Sequence, residues 1–208
     1  MDASDASHFR EIPYNYTSAD DERVVRILLG DDAWDRLHAL RDRRVTGRSA
    51  KHVLRFVGDL FLVRRNPFVY QDLATSRRRR RAFLAQARAE LDTVEAQAQG
   101  DADVAALLGQ CRTAWRELAR ELGWAGLRQA RIRVALGAVV GPDNVSFDPF
   151  TLTSHATDAT DWRLYLPLCV AFPTRESQVA PLLAAIARLK LKAIPRGAAT
   201  GLTGGCVP

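Results

Sequence analysis

The 208-residue sequence predicts an α+β protein: a mainly helical N-terminal region followed by one βαβ unit. Three observations predict it. Apolar residues recur at steps of three and four over most of the first 136 positions, which is the period of a half-buried helix. From Gly137 the chain turns rich in turn formers, in GAVVGPDNVSFDPFTLTSHATDATDW. Residues 164–205 then read strand, helix, strand and glycine-rich loop. The expected organisation is a helical extension over 1–140, a turn-rich linker over 141–163, and the start of a second domain over 164–208.

Residues 1–12 are polar and acidic and read as a tail. Ser18 is placed to cap the first helix, with Asp20, Asp21 and Glu22 at its positive end and Gly30 as its stop. A second helix is expected over Asp32–Arg43, with Trp34, Leu37 and Leu40 inward, and a third after Gly47 around Val53, Leu54 and Val57. Leu60–Val63 is a short β-leaning run closed by Asn66-Pro67 and is read as a strand. Ser76–Gln99 gives a long polar helix. Asp101–Leu122 carries the clearest stripe, Val104, Leu107, Leu108, Cys111, Trp115, Leu118 and Leu122. Gly123 is expected to end it, with a further helix over Trp124–Leu136, and both Trp115 and Trp124 are expected in the core. Thr174 is expected to cap the last helix, and Leu191–Pro195 to form the closing strand. Pro181 would cost about 3 kcal/mol inside that helix, so a bend or a late helix start is expected there.

Composition bounds the function classes. Hydrophobic residues at 47% and charged residues at 26% are globular values, so a folded core is expected. The net charge of +6 permits an anionic partner without choosing one. Three widely spaced cysteines, with no CxxC, argue for reduced thiols and a cytoplasmic chain, and against a zinc site. No stretch approaches the roughly 20 apolar residues that span a bilayer, and no secretory layout opens the chain.

The chemistry concentrates in IPRGAATGLTGGCVP. Glycine lets a backbone come close to a bulky anion, and consecutive amides in a tight turn form an anion nest. Thr200 and Thr203 add hydroxyl donors, while Arg196 can supply charge or lock the loop. The loop lacks the Lys-Ser/Thr of a P-loop and the G-x-G-x-x-G of a dinucleotide fold.

The stretch LPLCVAFPTRESQVAPLLAAIARLKLKAIPRGAATGLTGGCVP resembles the opening of a PCMH-type FAD-binding domain, of the glycolate oxidase large subunit and D-lactate dehydrogenase branch. Pro173, Thr174, Pro195, Arg196, Gly197, Thr200 to Gly205, Val207 and Pro208 carry the likeness. FREIPYNYTSADDERVVRILLG, DLFLVRRNPFVYQDL, GPDNVSFDPF and SHATDATDWRLYLP look like the helical N-terminal extension of large bacterial FAD-linked oxidases. The resemblance implies FAD, with its pyrophosphate held by Arg196, Gly197, Ala198, Ala199, Thr200, Gly201, Leu202, Thr203, Gly204 and Gly205. It implies a flavin oxidoreductase acting on a small 2-hydroxy acid, of which this chain is the front piece and inactive alone. Iron–sulfur clusters outside this chain and a position at the inner-membrane periphery are further implications. Ala198-Ala199 stands where the family carries Gly-Gly or Ala-Gly, and Cys206 where it carries Ala, so the resemblance raises a close approach at Ala199 and a flavin link at Cys206 as questions.

Two other readings compete. Arg77–Arg81 could make the chain a basic helical module for nucleic acid or an acidic protein, but successive arginines point all round a helix, so a solvated helix start is expected and nucleic acid is not. His155, near Asp158 and Asp161, could be catalytic, but loop-fixing hydrogen bonds are the expected role; Asp158, Thr160 and Asp161 read as turn residues.

Overall fold

A computed structural model describes residues 17–41, 47–98, 100–159 and 166–208. The tail at 1–12, Arg43, Gln99, Thr160, Asp161 and the front of the expected strand at 164–165 lie outside them. The chain divides into two compact units, Met1–Gly123 and Trp124–Pro208. Each has its own core.

In the first unit Thr17, not Ser18, is the cap. Its Oγ1 accepts from the Ala19 amide at 3.3 Å, while Asp20 Oδ2 accepts from the Thr17 amide at 3.1 Å. This reciprocal pair sets a 3₁₀ turn, Ser18–Asp20, ahead of α1 (Asp21–Leu29). Gly30 ends α1 at φ +101°, and α2 follows at once (Asp31–Arg41). Arg26 ties the corner, donating to Glu22 Oε1 at 2.9 Å and to the Asp31 carbonyl at 2.7 Å. Val24, Val25, Ala33, Leu37 and Leu40 are fully buried.

α3 runs Gly47–Arg65, so the expected strand at Leu60–Val63 is helix. Burial follows the helical period: Val53, Phe56, Val57, Leu60, Phe61 and Val63 are inside, while Leu62 is 51% exposed. The β-leaning composition of four residues yields to an apolar face already set two turns earlier. Asn66 stops this helix and starts the next, accepting from the Phe68 and Val69 amides at 3.0 and 3.2 Å with Pro67 in the first turn of α4 (Pro67–Thr75). Ser76 then caps α5 (Arg77–Gln97) through the Arg79 amide.

α6 is one helix of 39 residues, Ala102–Val140. Gly123 does not end it. A mid-helix glycine costs about 1 kcal/mol, which lowers stability without breaking the hydrogen-bond ladder. Nothing lies within 4 Å of where a β-carbon at Gly123 would sit. The true stop is Gly141, at φ +93°, whose amide donates to the Gly137 carbonyl at 2.8 Å. Val104, Leu107, Cys111, Leu118 and Leu122 enter the first core as expected, and the half-buried Trp115 donates its indole N–H to the Leu84 carbonyl. Trp124 is 64% exposed and outside any core.

In the second unit Ile132, Leu136 and Val140 of α6 pack with Val145, Phe147, Leu182 and Ala185. The expected βαβ unit is not formed as two parallel strands. β1 (Val145–Ser146) pairs antiparallel with β2 (Val170–Ala171), with α7 (Pro149–Ser154) between them. Leu191–Pro195, the expected closing strand, forms no strand; the sheet among the described residues is β1 with β2. Thr174 is not the cap of α8 (Val179–Arg188). Its amide and hydroxyl both donate to Gln178 Oε1, and Gln178 Nε2 donates to the Val139 carbonyl at 3.1 Å. Pro181 is thus the third residue of α8, where its missing N–H has no helical acceptor to serve; the late helix start is what the structure adopts.

Candidate functional site

The glycine-rich loop is held at both ends by the last residue of α7 and the segment after it. Arg196 Nη1 donates to the Thr157 carbonyl at 2.8 Å, and Nη2 to the Ser154 carbonyl at 3.2 Å. Cys206 Sγ lies 3.9 Å from Arg196 Nη1 and 3.7 Å from Asp158 Oδ2. Residues 196 and 206 are therefore drawn together, and residues 197–205 project between them. Arg196, left open in the sequence between charge donor and lock, is the lock.

Within the projecting stretch the backbone turns left-handed twice, at Ala199 (φ +57°) and Gly204 (φ +72°). The Val207 amide closes the second turn on the Gly204 carbonyl at 3.1 Å. Gly197, Ala198, Thr200, Gly201, Leu202, Thr203 and Gly205 are exposed. β-Carbons at Gly197 and Gly201 would meet nothing within 4 Å, and neither residue is left-handed. The folded chain itself thus gives no steric or backbone reason for glycine at these two positions.

His155 fixes the loop neighbourhood. Its Nδ1 lies 2.8 Å from the Thr151 carbonyl and 3.0 Å from Ser154 Oγ, and its ring meets Phe172 edge-on at 5.6 Å. Thr151 is capped in turn by Asp148 at 2.9 Å. The clasp of Ser154, Thr157 and Cys206 on Arg196, with Asp158 against Cys206, is not legible in the sequence, since four of its five members sit in a turn-rich stretch or after the loop with no periodicity to place them.

Burial quiets two of the thiols. Burial pushes the Cys111 thiol up to about 12, and burial raises Cys169 against the opposing pull of Arg128. All three cysteines are free. The arginine block divides its work. Arg79 pairs with Asp72, and Arg80 Nη1 donates to the Leu73 and Ala74 carbonyls at 2.9 and 3.0 Å, covering the C-terminal end of α4. Arg77, Arg78 and Arg81 are exposed.

A protein-family model described as a protein of unknown function, DUF3683, matches residues 7–120. The chain belongs to the DUF3683 family. The DUF3683 match takes in α1 to α5 and the front of α6, and ends before the glycine loop. No curated protein matches the chain, and no solved structure does. Among the described residues no helix is long and apolar enough to cross a membrane.

Proposed function

We propose that the chain is the N-terminal part of an FAD-dependent oxidoreductase of the PCMH type, in which residues 196–205 hold the FAD pyrophosphate. The observation that carries this reading is the open space around Gly197 and Gly201, where side chains are absent and no packing accounts for their absence. A loop that must admit a diphosphate needs such positions. The residues present fit the group: seven of the nine residues from 197 to 205 are exposed and none of the nine carries a carboxylate, the nearby Asp158 being placed against Cys206 at the loop's base.

Main-chain amides from Gly197 to Gly205 would hold the phosphates, with Thr200 and Thr203 hydroxyls donating to their oxygens. Arg196 acts as a positioning residue, since its guanidinium already serves two backbone carbonyls. FAD, when bound, supplies the acceptor for two electrons leaving the α-carbon of a 2-hydroxy acid of the lactate or glycolate kind. Groups that clamp the substrate carboxylate and take its hydroxyl proton belong beyond Pro208 in this reading, and the DUF3683 region precedes the flavin domain. The reading keeps the protein cytoplasmic, with the inner-membrane periphery as the alternative. The competing basic-module reading is less favoured because two of its five arginines already have partners within the chain, Arg79 on Asp72 and Arg80 on the end of α4.

FAD titration of the full-length gene product, followed by quenching of flavin fluorescence, tests the loop. Gly201→Asp places a carboxylate in open space, so the fold is unchanged while the phosphates are repelled. Affinity is expected to fall at least about tenfold, roughly 1.4 kcal/mol. Equal affinity in the variant contradicts the assignment.

A further inference from the structure

The 124–140 stretch of α6 and the helix α8 border an open groove of about 660 Å³. Leu127, Val134, Ala138 and Ala185 line it, with Arg131 and Arg188 also in the wall. Leu127 is 61% exposed and Val134 is 75% exposed, two turns apart on one helix. The opposite side of that helix, at Ile132, Leu136 and Val140, is packed in the core of the second unit. The exposed apolar side is therefore a second face of an ordered helix. Trp124, Leu127, Arg131, Val134 and Ala138 follow one another at steps of three and four, the spacing on which a second helix lies. The alanines keep the floor low, so a partner backbone can come close.

The charge around this groove is of one sign. Residues 124–140 and 179–189 contain no Asp or Glu, and they carry Arg128, Arg131, Arg133 and Arg188. Arg133 is engaged with the Val145 carbonyl at 3.0 Å and over the Phe147 ring at 5.2 Å. Arg131 and Arg188 are exposed at the groove. A second copy presenting the same face would set arginines against arginines. A flat bilayer would meet the protruding residues and leave the concave floor unfilled.

We propose that this groove docks an acidic amphipathic helix of a partner protein. Its apolar stripe lies along Leu127 and Val134, and its carboxylates flank that stripe to meet Arg131 and Arg188. The groove and the glycine loop share no residue, so Val134→Glu and Gly201→Asp test the two readings separately.

The test uses the whole chain and a fluorescein-labelled synthetic helix with leucines at heptad a and d positions and glutamates beside them. The same peptide with lysines for glutamates is the charge control, and phosphatidylglycerol vesicles are the membrane control. Fluorescence anisotropy is expected to show the glutamate peptide binding at least about tenfold more tightly than the lysine peptide. Val134→Glu is expected to weaken the glutamate peptide at least about tenfold with an unchanged melting curve, as suits so exposed a side chain. R131E/R188E is expected to reverse the peptide preference. Absent or equal binding of the two peptides overturns the proposal, as does an unaffected Val134→Glu. Vesicle binding that depends on Val134 without peptide binding, or a dimer lost in Val134→Glu, overturns it in favour of a lipid surface or a second copy.

Discussion

Lys190 sits in the left-handed region at φ +56° and closes α8. Its amide donates to the Ala187 carbonyl at 2.9 Å, and the Leu191 amide to the Ile186 carbonyl at 3.1 Å, the paired bonds of a Schellman ending. A side chain in that conformation costs about 1–2 kcal/mol, partly offset in glycine by its greater freedom when unfolded. Lys190→Gly is therefore expected to stabilise the chain by about 0.5–1 kcal/mol, read as a higher urea midpoint at constant m. A lowered midpoint contradicts this. Asp59 gives a pH-dependent case. Burial first, and Glu90 second, raise its carboxyl above the ordinary value against the pull of Arg55. A carboxyl raised in the folded state favours folding only while protonated, so its contribution is lost as pH climbs from the ordinary aspartate value through the raised one. Asp59→Asn should raise Tm at neutral pH, with the gain vanishing in acid where both states are protonated. A gain that is the same at every pH would contradict that account. Arg196→Lys tests the clasp, because one ammonium on a flexible stem does not reproduce a planar fork aimed at two carbonyls. Faster proteolytic cleavage within 197–205 is expected, and an unchanged cleavage rate would show that the clasp does not restrain the loop.

At the scale of elements, the length of α6 is the sharpest result. If Gly123 were a helix terminus, Gly123→Ala would destabilise; within a continuous helix it adds propensity with nothing to clash. The expected change is a gain of up to about 1 kcal/mol, measured by chemical denaturation. Gly141→Ala should instead lose stability, since Gly141 carries φ +93°. Helical stripes with three or more inward positions, such as Val104 to Leu122, were readable from spacing alone because only helical packing gives that period. Leu60–Val63 reads as strand in sequence because four residues hold no period; the face begun at Val53 decides them as helix. Asn66-Pro67 reads in sequence as an end, and the same dipeptide is also the start of α4. Gly123 reads as a stop because a glycine's cost and a glycine's φ look alike in sequence. The glycine loop was legible in composition, while its clasp was not, because Ser154, Thr157 and Arg196 meet through backbone carbonyls that any residue carries.

On the scale of the whole molecule, the DUF3683 match and the glycine loop fall in different parts of the chain, residues 7–120 and 196–205. The first compact unit ends at Gly123, and the loop is borne by the second. Family membership thus describes the helical region, while the proposed chemistry rests on the loop alone. The second unit has a two-residue ladder as its sheet and leaves Val179, Leu183 and Ile194 exposed. The direct measurement is the flavin content of the full-length gene product, purified and released by denaturation. The account predicts stoichiometric FAD, absent from Gly201→Asp while the circular dichroism spectrum is retained. A colourless, folded wild-type protein that takes up no added FAD would contradict it.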